Sequence, residues 1–381
     1  MCHYRRCAPL KTGSEVEGKI ITHENSSGEP DKMKLCAQLT MSNYCRRNYF
    51  FSFLLGALIC VLACASFAAN QKAKTEGEKK TPDQPKRSDQ ERTLTFPKAG
   101  MGTLYLVYHD EKGMNMADPV VTAIGTVRIK VPKDRWLTLE LSRYAYAHPD
   151  SFESCSSSGL DGLSLNLVSI DESDSAFCDT ALQHANHFRG LKCLLLNRAD
   201  ISDAGLSRMK GLPELEFICG FLTPITGDCF KTFSQFKKLN YVGFYDDAIK
   251  PENVKYLKDC PMLACVDLSH TDLGEVGIKY LSQCPNISVL KISSNPKVND
   301  ACIKYLLSMK HLSRLELEGT GITFSGLKAL KPLHLSILRV SAGVCANTDR
   351  PVLKTLAKKV EIVWREHRVD KSTQEMFAPL H

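Results

Sequence analysis

Leu312-Ser-Arg-Leu315-Glu-Leu317-Glu-Gly-Thr320-Gly-Ile322, followed by Gly326-Leu327-Lys-Ala-Leu330, is the stretch whose reading decides the fold. Leu315 and Leu317 are two apart, so on a strand they share one face. The glycines turn the chain and Ile322 tucks inward. Leu327 and Leu330 then stand about one helical turn apart, on the same side of a short helix.

The stretch recurs. Leu167, Leu191, Leu215, Leu239, Leu263, Ile287, Leu312 and Leu335 form one column, at intervals of 24, 24, 24, 24, 24, 25 and 23. A fixed period of about 20–50 residues is the signature of a solenoid. Strand core positions follow each anchor at Leu194/Leu196, Val242/Phe244, Val266/Leu268, Leu290/Ile292, Leu315/Leu317 and Leu338/Val340. The turn columns hold Ala199, Thr223, Asp247, Thr271, Asn295 and Thr320, then Ile201, Ile225, Ile249, Leu273, Val298 and Ile322. A helical turn closes each copy, as in Leu206/Met209/Leu212 and Phe230/Phe233/Phe236. One strand and one short helix cannot bury their faces alone, so the copies must stack.

On these columns the chain resembles leucine-rich repeat proteins, in the short-repeat subclass of ribonuclease-inhibitor-like and Cys-containing repeats, of the exported bacterial type. The resemblance covers roughly residues 160–358, and the solenoid it implies is placed at 160–364. It implies an α/β fold: a right-handed leucine-rich-repeat solenoid with a curved parallel sheet inside, short helices outside and an N-terminal β cap. Glu172 and Gly220 depart from the pattern by filling core strand columns. Val360-Glu-Ile362-Val-Trp364 reads as a closing strand, and residues 365–381 as a polar tail.

Residues 1–48 are polar and aperiodic. Residues 49–69 carry no charge and match the ~20 residues that a helix needs to cross a bilayer. Counted from Met41, the run has the basic start and small-residue end of a signal peptide. An uncleaved anchor with Arg46 and Arg47 on the cytoplasmic side is the alternative, and Val61-Leu62-Ala63-Cys64 resembles a lipoprotein box. Residues 70–96 read as a disordered charged linker. Residues 97–159 read as a β-rich cap, in which 126–131 and 136–141 alternate around Pro132–Arg135 as a hairpin.

Charge narrows the function classes. The chain has 49 Lys+Arg and 42 Asp+Glu, but residues 1–95 hold 15 and 10 of them, leaving 34 and 32 for the rest. The repeats are therefore close to neutral, without the basic footprint of a nucleic-acid binder. Of 16 cysteines, six lie at or before Cys64, and Cys260 and Cys284 sit in an apolar column, as small buried hydrophobes do.

The resemblance implies recognition of a protein through the concave strand face. Positions two, four and six after each anchor face that side. They bring together Phe217, Phe221, Tyr241 and Tyr245 as an exposed aromatic patch, the kind of surface that anchors partners. Asp267, Lys291, Arg314, Glu316 and Arg339 form its polar rim. The competing expectation is that the rings pack on one another and on the cap. No catalytic constellation, metal site or cofactor motif is expected: His184/His187 lack a third ligand, and His270/Asp272 lack a nucleophile. The expected protein is an exported or membrane-tethered, non-catalytic scaffold with its repeats extracytoplasmic. Residues 49–69 touch the membrane if uncleaved. The alternatives are a cytoplasmic target-binding adaptor resembling F-box leucine-rich repeat proteins, and a structural cell-envelope protein.

Overall fold

The computed structural model describes residues 89–110, 113–167 and 177–363, all within one compact unit, Lys86–His381. The expectations for residues 1–48, for the leader at 49–69, for most of the linker and for the tail lie outside the described residues. Among the described residues no helix is long and apolar enough to cross a membrane.

The strands are β1 (Gln90–Phe96), β2 (Gly102–Asp110), β3 (Gly113–Thr122), β4 (Gly125–Val131), β5 (Trp136–Leu141), β6 (Gly162–Ser164), β7 (Cys193–Asn197), β8 (Phe217–Phe221), β9 (Tyr241–Tyr245), β10 (Cys265–Asp267), β11 (Val289–Lys291), β12 (Arg314–Glu316), β13 (Leu335–Ser341) and β14 (Ala357–Val363). Twelve of them form one open sheet in the order β14-β13-β12-β11-β10-β9-β8-β7-β6-β5-β2-β3. It is parallel from β5 to β14 and antiparallel at β5-β2 and β2-β3, so the fold is mixed α/β with a mostly parallel sheet.

The column residues carry the stack. Leu191, Leu215, Leu239, Leu263, Ile287, Leu312 and Leu335 are all at most 3% exposed. Each such aliphatic chain removed from water contributes about 2 kcal/mol. The return path of each coil is a short α or 3-10 helix, such as Asp203–Ser207, Asp228–Gln235, Glu275–Leu281 and Phe324–Ala329. None is long enough to be stable alone, so packing between coils holds them.

A polar clasp links neighbouring coils outside the sheet. Asp179 Oδ1 accepts from Ser202 N at 2.8 Å, Asp203 Oδ2 from Thr226 N at 2.8 Å, and Asp300 Oδ1 from Thr323 N at 2.8 Å. Ser202 and Thr323 in turn cap their own helices by accepting from Gly205 N and Gly326 N. Glycine is required at both positions, because a Cβ there would collide with Asp179 Oδ1 or Asp300 Oδ1.

The turn after each strand from β7 to β12 is left-handed. Arg198, Leu222, Asp246, His270, Ser294 and Gly319 all have positive φ, between 52° and 67°. Their N–H groups stitch coil to coil: Arg198 N donates to Phe221 O, Asp246 N to Ser269 O and His270 N to Ser293 O. Only Gly319 escapes the steric cost of this conformation, about 1 kcal/mol or more per residue.

Three expectations are corrected. The first column residue is Leu160 and not Leu167. Gly162 pairs with Cys193, so the first coil is longer than its successors and β6 lies ahead of the expected strand. Gln90–Phe96 is a strand rather than the end of a linker: Leu94 and Phe96 are 0% and 3% exposed. The runs 126–131 and 136–141 form no hairpin. β4 pairs with β1, while the two edges of β5 are taken by β2 and β6. Asp161 ties these parts together, accepting from Arg92 Nη1 at 2.6 Å and Leu137 N at 3.0 Å and meeting Lys192 Nζ at 3.1 Å.

Candidate functional site: the inner face of the sheet

The inner face divides at β9/β10. On the β7–β9 side, Cys193, Leu195, Phe217, Cys219 and Tyr241 form a second apolar cluster, separate from the main core, with Trp136 and Cys265 packed against it. The register aligns Cys193, Phe217, Tyr241 and Cys265 in one row across four strands. Phe217 and Tyr241 stack at 3.8 Å with their planes 10° apart. Gly243 makes room for this: a Cβ there would lie 2.7 Å from Tyr241 Cε1. Burial pushes the Cys219 and Cys265 thiols up to about 12 and the Cys193 thiol upward, so all three are protonated and poor nucleophiles at neutral pH.

The aromatic expectation is therefore corrected in part. Phe217 and Tyr241, expected on an exposed patch, are 4% and 6% exposed. Their rings satisfy each other instead of solvent. Phe221 and Tyr245, two rows further on, stay half-buried and stack at 4.8 Å. The Arg198 guanidinium lies 5.8 Å from the Phe221 ring. Leu222 follows in its left-handed turn, 52% exposed.

On the β10–β14 side the neighbouring row, two residues further along each strand, is ionic and alternates in sign. Asp267, Lys291, Glu316, Arg339 and Glu361 are direct register partners across five strands. Lys291 Nζ stands 3.8 Å from Asp267 Oδ2. Arg314 Nε and Nη2 both reach Glu316 Oε1 at 2.8 Å, and Arg339 Nε reaches Glu318 Oε2 at 3.1 Å. Lys291, Arg314, Glu316 and Glu318 are all below 9% exposed. Charges this buried persist only when paired. Burial raises the Asp267 carboxyl, and the Lys291 ammonium pulls it back. The expected polar rim is thus brought together, but as a ladder of mutually paired charges.

Over the ends of the β10–β14 strands, bounded by Tyr245 of β9, lies a groove of about 800 Å³. Its origin is side-chain size. Ser269 and Ser293 occupy the row where Tyr245 stands on one side and Glu318 on the other, so a trough opens over three strand spacings, about 14 Å. Asp246 and His270 form the rim, with His270 Nδ1 meeting Asp246 Oδ1, and Arg339 and Glu316 line the far wall. The Ser293 Oγ on the floor is buried without a hydrogen-bond partner. Leu222, Asp246, His270 and the two floor serines were not among the expected site residues. The signal that finds them is positional: the residue before and at each left-handed turn, once per coil.

In the turn column, Asn295 and Asp247 occupy equivalent places. Asn295 is fully buried and fully used, accepting from Leu273 N at 2.7 Å and donating to Leu268 O at 2.8 Å. Asp247 accepts from Thr223 N and from Thr223 Oγ1 at 3.1 Å, but an ionised carboxylate has nothing to donate. Burial pushes its carboxyl up to about 7. His187 Nε2 bonds Cys155 O at 2.9 Å, and among the described residues no three His, Cys, Asp or Glu side chains gather as a metal site.

No protein-family model matches this chain, and no curated protein matches it. Among solved structures, the crystal structure of an internalin from Listeria monocytogenes is similar at 16% identity with a TM-score of 0.40, covering 54% of this chain and 55% of its own. The likeness thus spans about half of each chain and carries no argument. The fold stands on the strand registers and buried columns described above.

Proposed function

We propose that this chain is a non-catalytic recognition scaffold, a right-handed leucine-rich-repeat solenoid capped by β1–β5, that binds a protein partner at the groove on its inner sheet face. Residues 49–69 export it or tether it to a membrane, with the repeats outside the cytoplasm. One observation carries the binding site. The groove is the place on this face where neither stacked rings nor paired charges fill the space, and the half-buried Tyr245 walls it. An exposed leucine at position 222, held in a backbone conformation that disfavours leucine, adds apolar surface beside it. The contact surface is therefore Phe221, Leu222, Tyr245 and the groove wall at Arg339, rather than Phe217 and Tyr241.

A photo-crosslinking side chain at Ser294, on the groove rim, tests this against one at Lys258, exposed on the outer helix Pro251–Asp259. Adducts with one protein from Ser294 alone are expected in the native host. Adducts from Lys258 alone overturn the reading. N-terminal mass spectrometry and fractionation of the same material test export: a mature terminus after residue 69, or recovery with membranes, is expected, and an intact soluble chain contradicts it.

A further inference from the structure

We infer that the outer side of the repeats is a second docking surface, where a file of lysines and half-buried aromatic rings seats the protein on an anionic lipid surface. It is a different face from the groove. Only the choice of lipid among anionic partners leans on the tether proposed at residues 49–69.

The period that builds the core also builds this file. Lys231, Lys255, Lys279, Lys304 and Lys328 recur at intervals of 24, 24, 25 and 24. Each stands on the outer element of one of five successive coils: Asp228–Gln235, Pro251–Asp259, Glu275–Leu281, Ile303–Leu306 and Phe324–Ala329. Four are exposed and Lys255 is half-buried. Tyr256, Tyr280 and Tyr305 directly follow three of them and pack half-buried against the core. The ammonium groups lie over rings: Lys255 Nζ is 4.9 Å from the Tyr256 centroid, Lys304 Nζ 4.7 Å from Tyr305 and Lys328 Nζ 5.1 Å from Phe324.

This side has more lysines than carboxylates to meet them. Residues 228–238, 251–260, 275–284, 300–310 and 324–334 hold ten lysines and five carboxylates. Three of those carboxylates are engaged: Asp228 with Lys231 at 2.6 Å, Glu275 with Lys304 at 3.0 Å and Asp300 with Thr323 Oγ1 at 2.6 Å. Glu252 and Asp259 remain. Among the described residues no carboxylate forms an ion pair with Lys255, Lys279 or Lys328, and Lys279 acts on Glu275 only from a distance. The near-neutral repeats are thus polarised, with the positive excess outside.

The residue types favour a lipid surface over other polyanions. Lysine fills every place in the file. A mobile point charge suits a diffuse negative surface, whereas nucleic-acid recognition favours the arginine fork. Tyrosine, with an apolar body and a polar tip, is enriched where a bilayer meets water. Each lysine close to an anionic leaflet strengthens binding about fivefold.

An environment-sensitive fluorescent amino acid at Val276, exposed three residues before Lys279, reads the contact on the full-length chain. Its emission is expected to shift to the blue on mixed phosphatidylglycerol and phosphatidylcholine vesicles, to stay unshifted on phosphatidylcholine alone, and to revert in high salt. Lys255→Gln, Lys279→Gln and Lys328→Gln together are expected to weaken the binding that gives the shift about a hundredfold. The same charge change at Lys98, Arg128 and Lys133, exposed on the cap, is expected to leave it unchanged, with folding of both variants checked by thermal melting. Recovery with uncharged vesicles and no blue shift on anionic ones reports the tether alone and overturns this inference. A shift indifferent to the three outer lysines overturns it too, as does one given by duplex DNA and not by anionic vesicles. A shift on anionic vesicles from a chain that does not bind uncharged ones supports this inference and contradicts the tether.

Discussion

The two halves of the inner face share one backbone and one register, yet they solve the same problem by different chemistry. Neighbouring strands stand about 4.8 Å apart, which forces side chains in one row against each other. On β7–β9 that row is Cys193, Phe217 and Tyr241, and it closes by stacking. On β10–β14 the next row along the strands, through Asp267 and Lys291, closes by alternating charge. A repeat architecture thus fixes where a residue points, while its neighbours in the row decide whether it is available. The groove exists where the row runs small, at Ser269 and Ser293.

Substitutions can break this contrast, beginning with the largest effect. Phe217→Ala opens a hole beneath Tyr241 and is expected to cost about 3–5 kcal/mol in denaturant unfolding. An effect under about 1 kcal/mol would show that the apolar half is no core. Glu316→Gln leaves the Arg314 guanidinium against a neutral amide and is expected to cost about 3 kcal/mol, whereas Arg314→Met with Glu316→Leu costs little. Equal losses in the single and double variants would contradict the ladder.

Asp247→Asn gives a smaller effect with a defined sign. The folded-state carboxyl titrates at about 7 and the ordinary value is 3.8, so the folded chain holds a proton that the unfolded chain releases. Stability is therefore lost as pH rises from about 4 to about 7 and is level above that. Asparagine, as at Asn295, is expected to stabilise the chain by about 1–2 kcal/mol at pH 8 and by much less near pH 4. A gain independent of pH contradicts the titration. Smallest is Leu222→Gly, which relieves the left-handed backbone and removes an exposed apolar side chain. A gain of about 0.5 kcal/mol is expected once the flexibility of glycine is set against the strain.

Much of the stack was legible because burial on one face demands a column, and a column is visible in a string of letters. From Leu191 onward the aliphatic anchors are where the period puts them. The first coil was misread because Leu160-Asp-Gly-Leu163-Ser-Leu165 and the segment from Leu167 both match the pattern, and the period favours the wrong one. A longer loop costs little entropy, so pairing, not spacing, sets the register. Strand β1 was hidden by Gln90, Glu91 and Arg92, which flank the alternating Thr93-Leu94-Thr95-Phe96. Alternation marked β4 and β5 as strands but does not say which strand pairs with which. The facing of Phe217 and Tyr241 was legible, and of the two expectations for their rings the structure shows the competing one, packing on each other and on Trp136 of the cap, with Gly243 leaving the room. The left-handed turns were largely illegible: arginine, leucine and serine give no such signal, and aspartate and histidine, though enriched in this region, occur widely outside it.

Cysteine accessibility mapped by mass spectrometry on the native full-length chain tests the two-part face most directly. Cysteines introduced at Ser269, Ser294 and Leu222 are expected to react rapidly with a maleimide, while the native Cys193 and Cys219 stay unlabelled until the chain is denatured. Rapid labelling of Cys193 and Cys219 in the folded chain, or protection of all three introduced thiols, would contradict the account.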